Sequence, residues 1–156
     1  MSSIVVRPIT ESDKDQWTVL WHKYLEFYAS TGIDTSCVNE KVTDTTFSRF
    51  LDSSEPMGCL VAENKESKEL VGFAQYLWHR NTWTIEDRVY LNDLFVDDSK
   101  RCGGVGRQLI EALYDTADKM GTPSVYWMTQ QFNHRAQLLY TKVGVRDTFV
   151  TYSRPH

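Results

Sequence analysis

Apolar residues along the first third of the chain recur with the spacing of a helix face. Trp17, Leu20, Trp21, Tyr24 and Tyr28 fall at i, i+3, i+4, i+7 and i+11, which draws one aromatic stripe down a helix. Thr10 precedes the stripe as an N-cap, with Asp13 three residues on in place of the usual Glu. Such a stripe is a core face; the alternative is that its far end, Tyr24 and Tyr28, lines a substrate cleft. Before it, Ile4-Val5-Val6-Arg7-Pro8-Ile9 is β-branched and closed by a proline, which suits an edge or first strand. Residues 31–41 have no period and read as a loop. Residues 43–51 place Phe47, Phe50 and Leu51 at helical spacing, and Ser53-Ser54-Glu55-Pro56 ends that second helix.

From Met57 the period changes to two. Residues 58–63 and 70–78 are β-type runs separated by the charged turn Asn64-Lys65-Glu66-Ser67-Lys68, a hairpin signal. Asn81-Thr82 turns the chain again before Trp83-Thr84-Ile85, and residues 88–96 continue the sheet as its central strand. After a polar turn comes Arg101-Cys102-Gly103-Gly104-Val105-Gly106. Val105, Leu109, Leu113, Tyr114, Ala117 and Met120 then mark the inner face of a helix closed by Gly121. Residues 125–129 form a strand reached by a crossover, and therefore parallel to the one before the loop. Asn133 opens a further helix with Ala136, Leu139, Tyr140 and Val143 inward, ended by Gly144, and residues 145–153 read as a final strand. The order β-α-α-β-β-β-α-β-α-β predicts one α/β domain over residues 1–156.

The glycine run carries the first chemical signal. A helix start has free N–H groups and a positive dipole end, so glycines there can lie close against a phosphate. Gly106 is followed by Arg107-Gln108 and not Lys-Ser/Thr, and position 109 is Leu, so neither a P-loop nor a dinucleotide fingerprint is present. An anion cradle of another kind remains, beside the plainer reading of a tight turn that merely starts a helix. Composition narrows the field. A chain of 156 residues with 41% hydrophobic content can bury its own core. The formal charge of −4 argues against a nucleic-acid groove. Three scattered cysteines, Cys37, Cys59 and Cys102, make neither a disulfide framework nor a metal spacing. With no signal-peptide pattern and no membrane-length apolar run, the expectation is a soluble protein of a reducing compartment, cytoplasmic and/or nuclear.

The pattern Arg101-x-x-Gly104-x-Gly106 resembles the acyl-coenzyme A pyrophosphate loop of the GCN5-related N-acetyltransferase (GNAT) family. About thirty residues on, Asn133-His134-Arg135-Ala136-Gln137-Leu138-Leu139-Tyr140-Thr141-Lys142-Val143-Gly144 looks like the family's second cofactor motif. Upstream, Val5-Val6-Arg7-Pro8, Leu70-Val71-Gly72-Phe73-Ala74, Trp83 and Tyr90-Leu91-Asn92-Asp93-Leu94-Phe95-Val96 are similar to diamine acetyltransferases and to fungal histone-type acetyltransferases.

The resemblance implies the GNAT fold, a mixed and mostly antiparallel sheet flanked by helices, with acetyl-CoA as cosubstrate and no metal. Leu94, Phe95 and Val96 would face the pantetheine arm, and Arg101, Cys102, Gly103, Gly104, Val105, Gly106 and Arg107 the pyrophosphate. Asn133 would bond the pantetheine or diphosphate side, with Arg135 and Lys142 as outer contacts. Tyr140 would protonate the leaving thiolate; its alternative is a core tyrosine. The implied partner is an amine, a lysine of a basic protein such as a histone, a polyamine or a small amino compound, with no nucleic acid or membrane and with a homodimer or higher homo-oligomer. A coenzyme A-binding module that has lost its activity is the alternative.

Attack on a thioester needs a neutral amine. With a lysine-like pKa of about 10.4, roughly one molecule in 2,500 is ready at pH 7, a deficit of roughly 4–5 kcal/mol. A base or desolvating pocket is expected. Similar diamine acetyltransferases carry a glutamate where this chain has Asn92, and an amide is no base. Strict alternation puts Asn92 with Tyr90 and Leu94, and turns Asp93 away unless a bulge reorients it. On that reading Asn92 positions the amine and the proton leaves through water or a cleft carboxylate such as Glu26.

Overall fold

The structure, a computed structural model, describes residues 3–100 and 103–156. Arg101 and Cys102, expected in the glycine loop, lie outside the described residues. In chain order the elements are β1 (Ile4–Pro8), α1 (Lys14–Ser30), α2 (Glu40–Leu51), β2 (Met57–Asn64), β3 (Leu70–His79), β4 (Arg88–Val96), α3 (Val105–Lys119), β5 (Val125–Tyr126) and α4 (His134–Val143), with single 3-10 turns at Glu11–Asp13 and Asp98–Lys100. The strands lie in the order β1-β2-β3-β4-β5, antiparallel as far as β4, with β5 parallel to β4.

Alternation along β2, β3 and β4 gives the sheet two apolar faces, and each is covered by helices. Leu60, Ala62, Val71, Ala74, Val89 and Leu91 meet Val105, Leu109, Ile110 and Leu113 of α3. On the other face Cys59, Val61 and Phe73 meet Trp17, Leu20, Trp21 and Tyr24 of α1 and Phe47 of α2. The helical stripe is thus core along most of its length, with Trp17 stacked on Trp21 at 5.8 Å between ring centroids. Each such large side chain stabilises the fold by roughly 1.5–3 kcal/mol of transfer free energy.

The entry to α1 is tied down by ions. The Thr10 N–H and hydroxyl donate to Asp13 Oδ2 at 2.8 and 3.0 Å. Arg7 on β1 grips both Asp13 oxygens and reaches Glu63 on β2 at 2.7 Å. One guanidinium so links two strands and a helix start. Asn39 caps α2 by accepting from the Val42 N–H, which starts that helix three residues before the predicted Thr43.

Two expectations fail. The strand over 145–153 is absent: those residues run outside the sheet, with Val145 98%, Phe149 82% and Tyr152 91% exposed. Asp147 is the local reason, because its Oδ1 accepts the Thr148 and Phe149 N–H groups and bends the chain where a strand must stay straight. With no strand added beyond β5, β3 is the middle strand and β4 stands one place from the edge. Trp83 and Ile85 are also exposed, in a turn organised by Asn81.

Candidate active site

The parallel pair β4–β5 is joined only at Val89–Val125 and Tyr90–Tyr126. The two tyrosine rings stack at 4.9 Å as the last pair, and beyond them the strands part. Leu94, Phe95 and Val96 lie on the parted stretch of β4, paired with Ala74, Phe73 and Gly72 of β3 on one side only. The opening leads to the glycine loop.

At that end Val96, Asp97, Asp98, Gly103, Gly104, Val105, Gly106 and Arg135 enclose a cavity of about 360 Å³. Gly104 is the N-cap of α3 at φ +78°, a left-handed conformation that a branched residue resists. Among the described residues, a Cβ on Gly103 or Gly104 would meet nothing within 4 Å, so the loop presents open backbone to the cavity. Gly106 differs: its Cβ would stand 3.0 Å from Leu139 of α4, so that glycine serves helix packing. Lys23 of α1 fixes the approach through Asp97 at 2.7 Å. Burial pushes the Asp97 carboxyl up, and Lys23 with Ser99 outweighs that and holds it below the usual range. Arg135 reaches across from α4 to Asp98 at 3.0 Å. Free N–H groups at a helix start, open backbone and a guanidinium at the rim fit a diphosphate.

The other expected loop and α4 residues separate. Arg107 turns along α3 to Glu111 at 2.8 Å and does not line the cavity. Lys142 is exposed on α4, also outside the lining. Asn133 caps α4 by accepting from the Ala136 N–H. Tyr140 is half-buried against Trp127, ring centroids 5.5 Å apart, and burial followed by the proximity of Tyr28 pushes its hydroxyl up to about 12. At neutral pH it therefore keeps its proton, as a group that donates one must.

On the opposite flank of β4 a second cavity, of about 460 Å³, is walled by Trp21, Tyr24, Tyr28, Phe50 and Tyr76, with Asn92, Asp93, Gln75 and Asp34 among its polar lining. Its shape depends on a β-bulge. Gln75 pairs with Asp93 but Tyr76 pairs with Leu91, which leaves Asn92 as the extra residue. Inward parity flips across it: Val89 and Leu91 face α3 before the bulge, Leu94 and Val96 after it. Strict alternation therefore fails at this point, and Asp93 joins Asn92 on the cavity side.

Asp93 is held hard. Tyr24 donates its hydroxyl to Oδ1 at 2.7 Å and Gln75 Nε2 donates to Oδ2 at 2.8 Å, and the neighbouring Asn92 amide also favours the charged carboxylate. Gln75 is itself fixed by the Trp17 indole N–H at 2.7 Å, so a polar chain runs from the helix core to the cavity wall. Burial raises the Asp93 carboxyl, and the three neutral donors only partly oppose it. Burial first, then the Asp93 charge, pushes Tyr24 far up. Glu26 is on the exposed side of α1, two residues and about 200° around the helix from Tyr24, and does not reach the cavity. The sequence contained a sign of the bulge, the apolar step from odd to even positions between Leu91 and Leu94.

Among the described residues no group of acids, histidines or cysteines could hold a metal. Comparison with known proteins agrees with this geometry. Residues 10–145 match the model of the acetyltransferase (GNAT) family. The chain is 43% identical over 151 residues to the D-amino-acid N-acetyltransferase HPA3 of Saccharomyces cerevisiae, covering 97% of this chain and 90% of that protein. It is 30% identical over 95 residues to the thialysine N-epsilon-acetyltransferase of Sus scrofa, over 57% and 55% of the two chains. A solved probable acetyltransferase superposes with TM-score 0.81 at 22% identity over 97% of each chain. The aminoglycoside enzyme AAC(6')-Iy, solved with a coenzyme A bisubstrate analogue, does so with TM-score 0.78 at 18% identity over 98% of each chain.

Proposed function

Because the chain belongs to the acetyltransferase (GNAT) family, whose members use acetyl-CoA and an amine acceptor, we propose that it acetylates a small primary amine by direct attack on the thioester. The observation that carries this reading is the pair of cavities set along β4, one reached at Val96 and suited to a diphosphate, the other lined by Asn92 and Asp93 and suited to an acceptor.

In this reading the backbone of residues 103–106, the α3 N-terminus and Arg135 hold the diphosphate. The pantetheine lies along Leu94, Phe95 and Val96, which brings the thioester toward Tyr140. The amine enters from the aromatic cavity, gives one proton to water and attacks the carbonyl carbon. As the carbon–sulfur bond breaks Tyr140 gives its proton to the thiolate, and the proton leaving the acylated nitrogen returns to the Tyr140 oxygen through water. A cavity of about 460 Å³ suits a small molecule or one lysine side chain; a small amine fills it without help from a surrounding protein surface. Histone lysines and polyamines remain within the assay that decides. Purified protein is given acetyl-CoA with arylalkyl amines, polyamines, amino acids of both hands and histone-tail peptides, and thiol release is followed. Turnover above the hydrolysis background with a small amine supports the proposal. Release with none, while acetyl-CoA binds, assigns the fold to a coenzyme A-binding module.

A further inference from the structure

Among the described residues, the acids drawn into this protein are matched to cations, with one exception. Asp13 and Glu63 share Arg7 at 2.8 and 2.7 Å, and Asp97 has Lys23 at 2.7 Å. Asp93 faces only the neutral donors Tyr24, Gln75 and Asn92. The other titratable groups that feel its charge are the Tyr90 hydroxyl and the buried Cys59 thiol, and Tyr28 lies beyond Tyr24; none of them is a cation. The cavity that Asp93 lines contains a second carboxylate, Asp34, and no lysine, arginine or histidine among the described residues.

A half-buried carboxylate without a counter-charge is costly in the empty protein and becomes favourable when a cation docks beside it. The aromatic walls of Trp21, Tyr24, Tyr28 and Tyr76 add faces that attract a cation and cover an apolar body. Resting on the acceptor assignment above, we propose that Asp93 is the counter-ion of the acceptor's ammonium group, and that the cleft selects amines on an apolar body without a carboxylate beside the nitrogen. An amino acid would set its own carboxylate next to Asp93 with no described cation to receive it. The chain would then differ in acceptor from the yeast relative whose name denotes D-amino acids.

The test is binding and so does not depend on turnover. Phenethylamine and D-phenylalanine, which differ by that one carboxylate, are titrated calorimetrically into the protein saturated with coenzyme A. Phenethylamine is expected to bind at least about tenfold more tightly, and Asp93→Asn to weaken it by about tenfold or more, the range of a charge-assisted hydrogen bond. Thermal unfolding of Asp93→Asn should be no lower than that of the parent, since a role confined to holding the fold predicts a loss. Equal or tighter binding of D-phenylalanine overturns the proposal, as does an unchanged phenethylamine affinity in Asp93→Asn. Should that variant not fold, the ratio of the two ligands on the parent protein still decides. Thiol release from acetyl-CoA with any amine upholds the acetyltransferase reading separately, whichever ligand binds better.

Discussion

The two cavities flanking the end of β4 are made of different material. The glycine-loop side is mostly backbone, with Gly103 and Gly104 bare and, among the described residues, a single guanidinium at the rim. The aromatic side is made of side chains from α1, α2, β2, β3, β4 and the loop ahead of α2, and its polar floor is a hydrogen-bonded chain from Trp17 to Asp93. A backbone site is set by conformation and tolerates little change of φ. A side-chain site can be rewritten one residue at a time without disturbing the sheet. The same small fold can therefore keep one cosubstrate and change its acceptor.

The strongest way to break this contrast is at Tyr140, which packs against Trp127 and lies near Tyr28 of the aromatic cavity. Tyr140→Phe should lower kcat by about 10²–10⁴ and leave acetyl-CoA affinity within a few-fold, as for loss of a general acid. Unchanged kcat would return Tyr140 to a packing role beside Trp127. Next in size, Gly104→Val forces a branched residue to φ +78° at a strain of about 1–3 kcal/mol. Acetyl-CoA Kd measured by calorimetry should rise about 10²-fold, whereas the acceptor side keeps its geometry. Gly106→Ala, whose methyl would meet Leu139 while the backbone at this position still lines the cavity, should shift stability by less than about 1 kcal/mol and leave Kd within a few-fold. Equal losses in the two glycine variants would show that the loop works as a packed unit and not as an exposed backbone surface.

The smallest effect sharpens the contrast between Asp13 and Asp93. The Arg7 guanidinium holds the Asp13 carboxyl below its ordinary range, with burial opposing and Thr10 assisting. A depressed carboxyl contributes stability above its unfolded value of about 3.9 and loses it as pH falls through the folded value. Asp13→Asn should thus cost about 1–3 kcal/mol at pH 7, a fall in Tm of roughly 2–12 °C, and the difference from the parent should shrink below about pH 4. Asp93 is shifted upward, so its charge opposes folding above its folded value. A Tm difference for Asp13→Asn that persisted undiminished at pH 2 would remove the ion pair from this account.

The elements that could be read from the chain are those whose periodicity coincides with burial. The stripe from Trp17 to Tyr24, the alternation in residues 58–63 and 70–78, and the face from Val105 to Ala117 are all core. The glycine loop was legible because a left-handed N-cap needs glycine whatever packs around it. Residues 145–153 have strand-like composition but no paired neighbour, and the Asp147 turn bends them out. Arg107 had the right charge beside the loop, yet an i, i+4 glutamate takes it. Glu26 was lost to helical rotation.

What the sequence determined by itself was local: which segments are apolar on one side, where helices start, and that one turn must be glycine. These follow from each residue's own conformational preference and its near neighbours. Which carboxylate faces the acceptor was decided only in three dimensions. One extra residue at Asn92 inverts the faces of β4, and the partners that then fix Asp93 come from α1 and β3, far away in the chain.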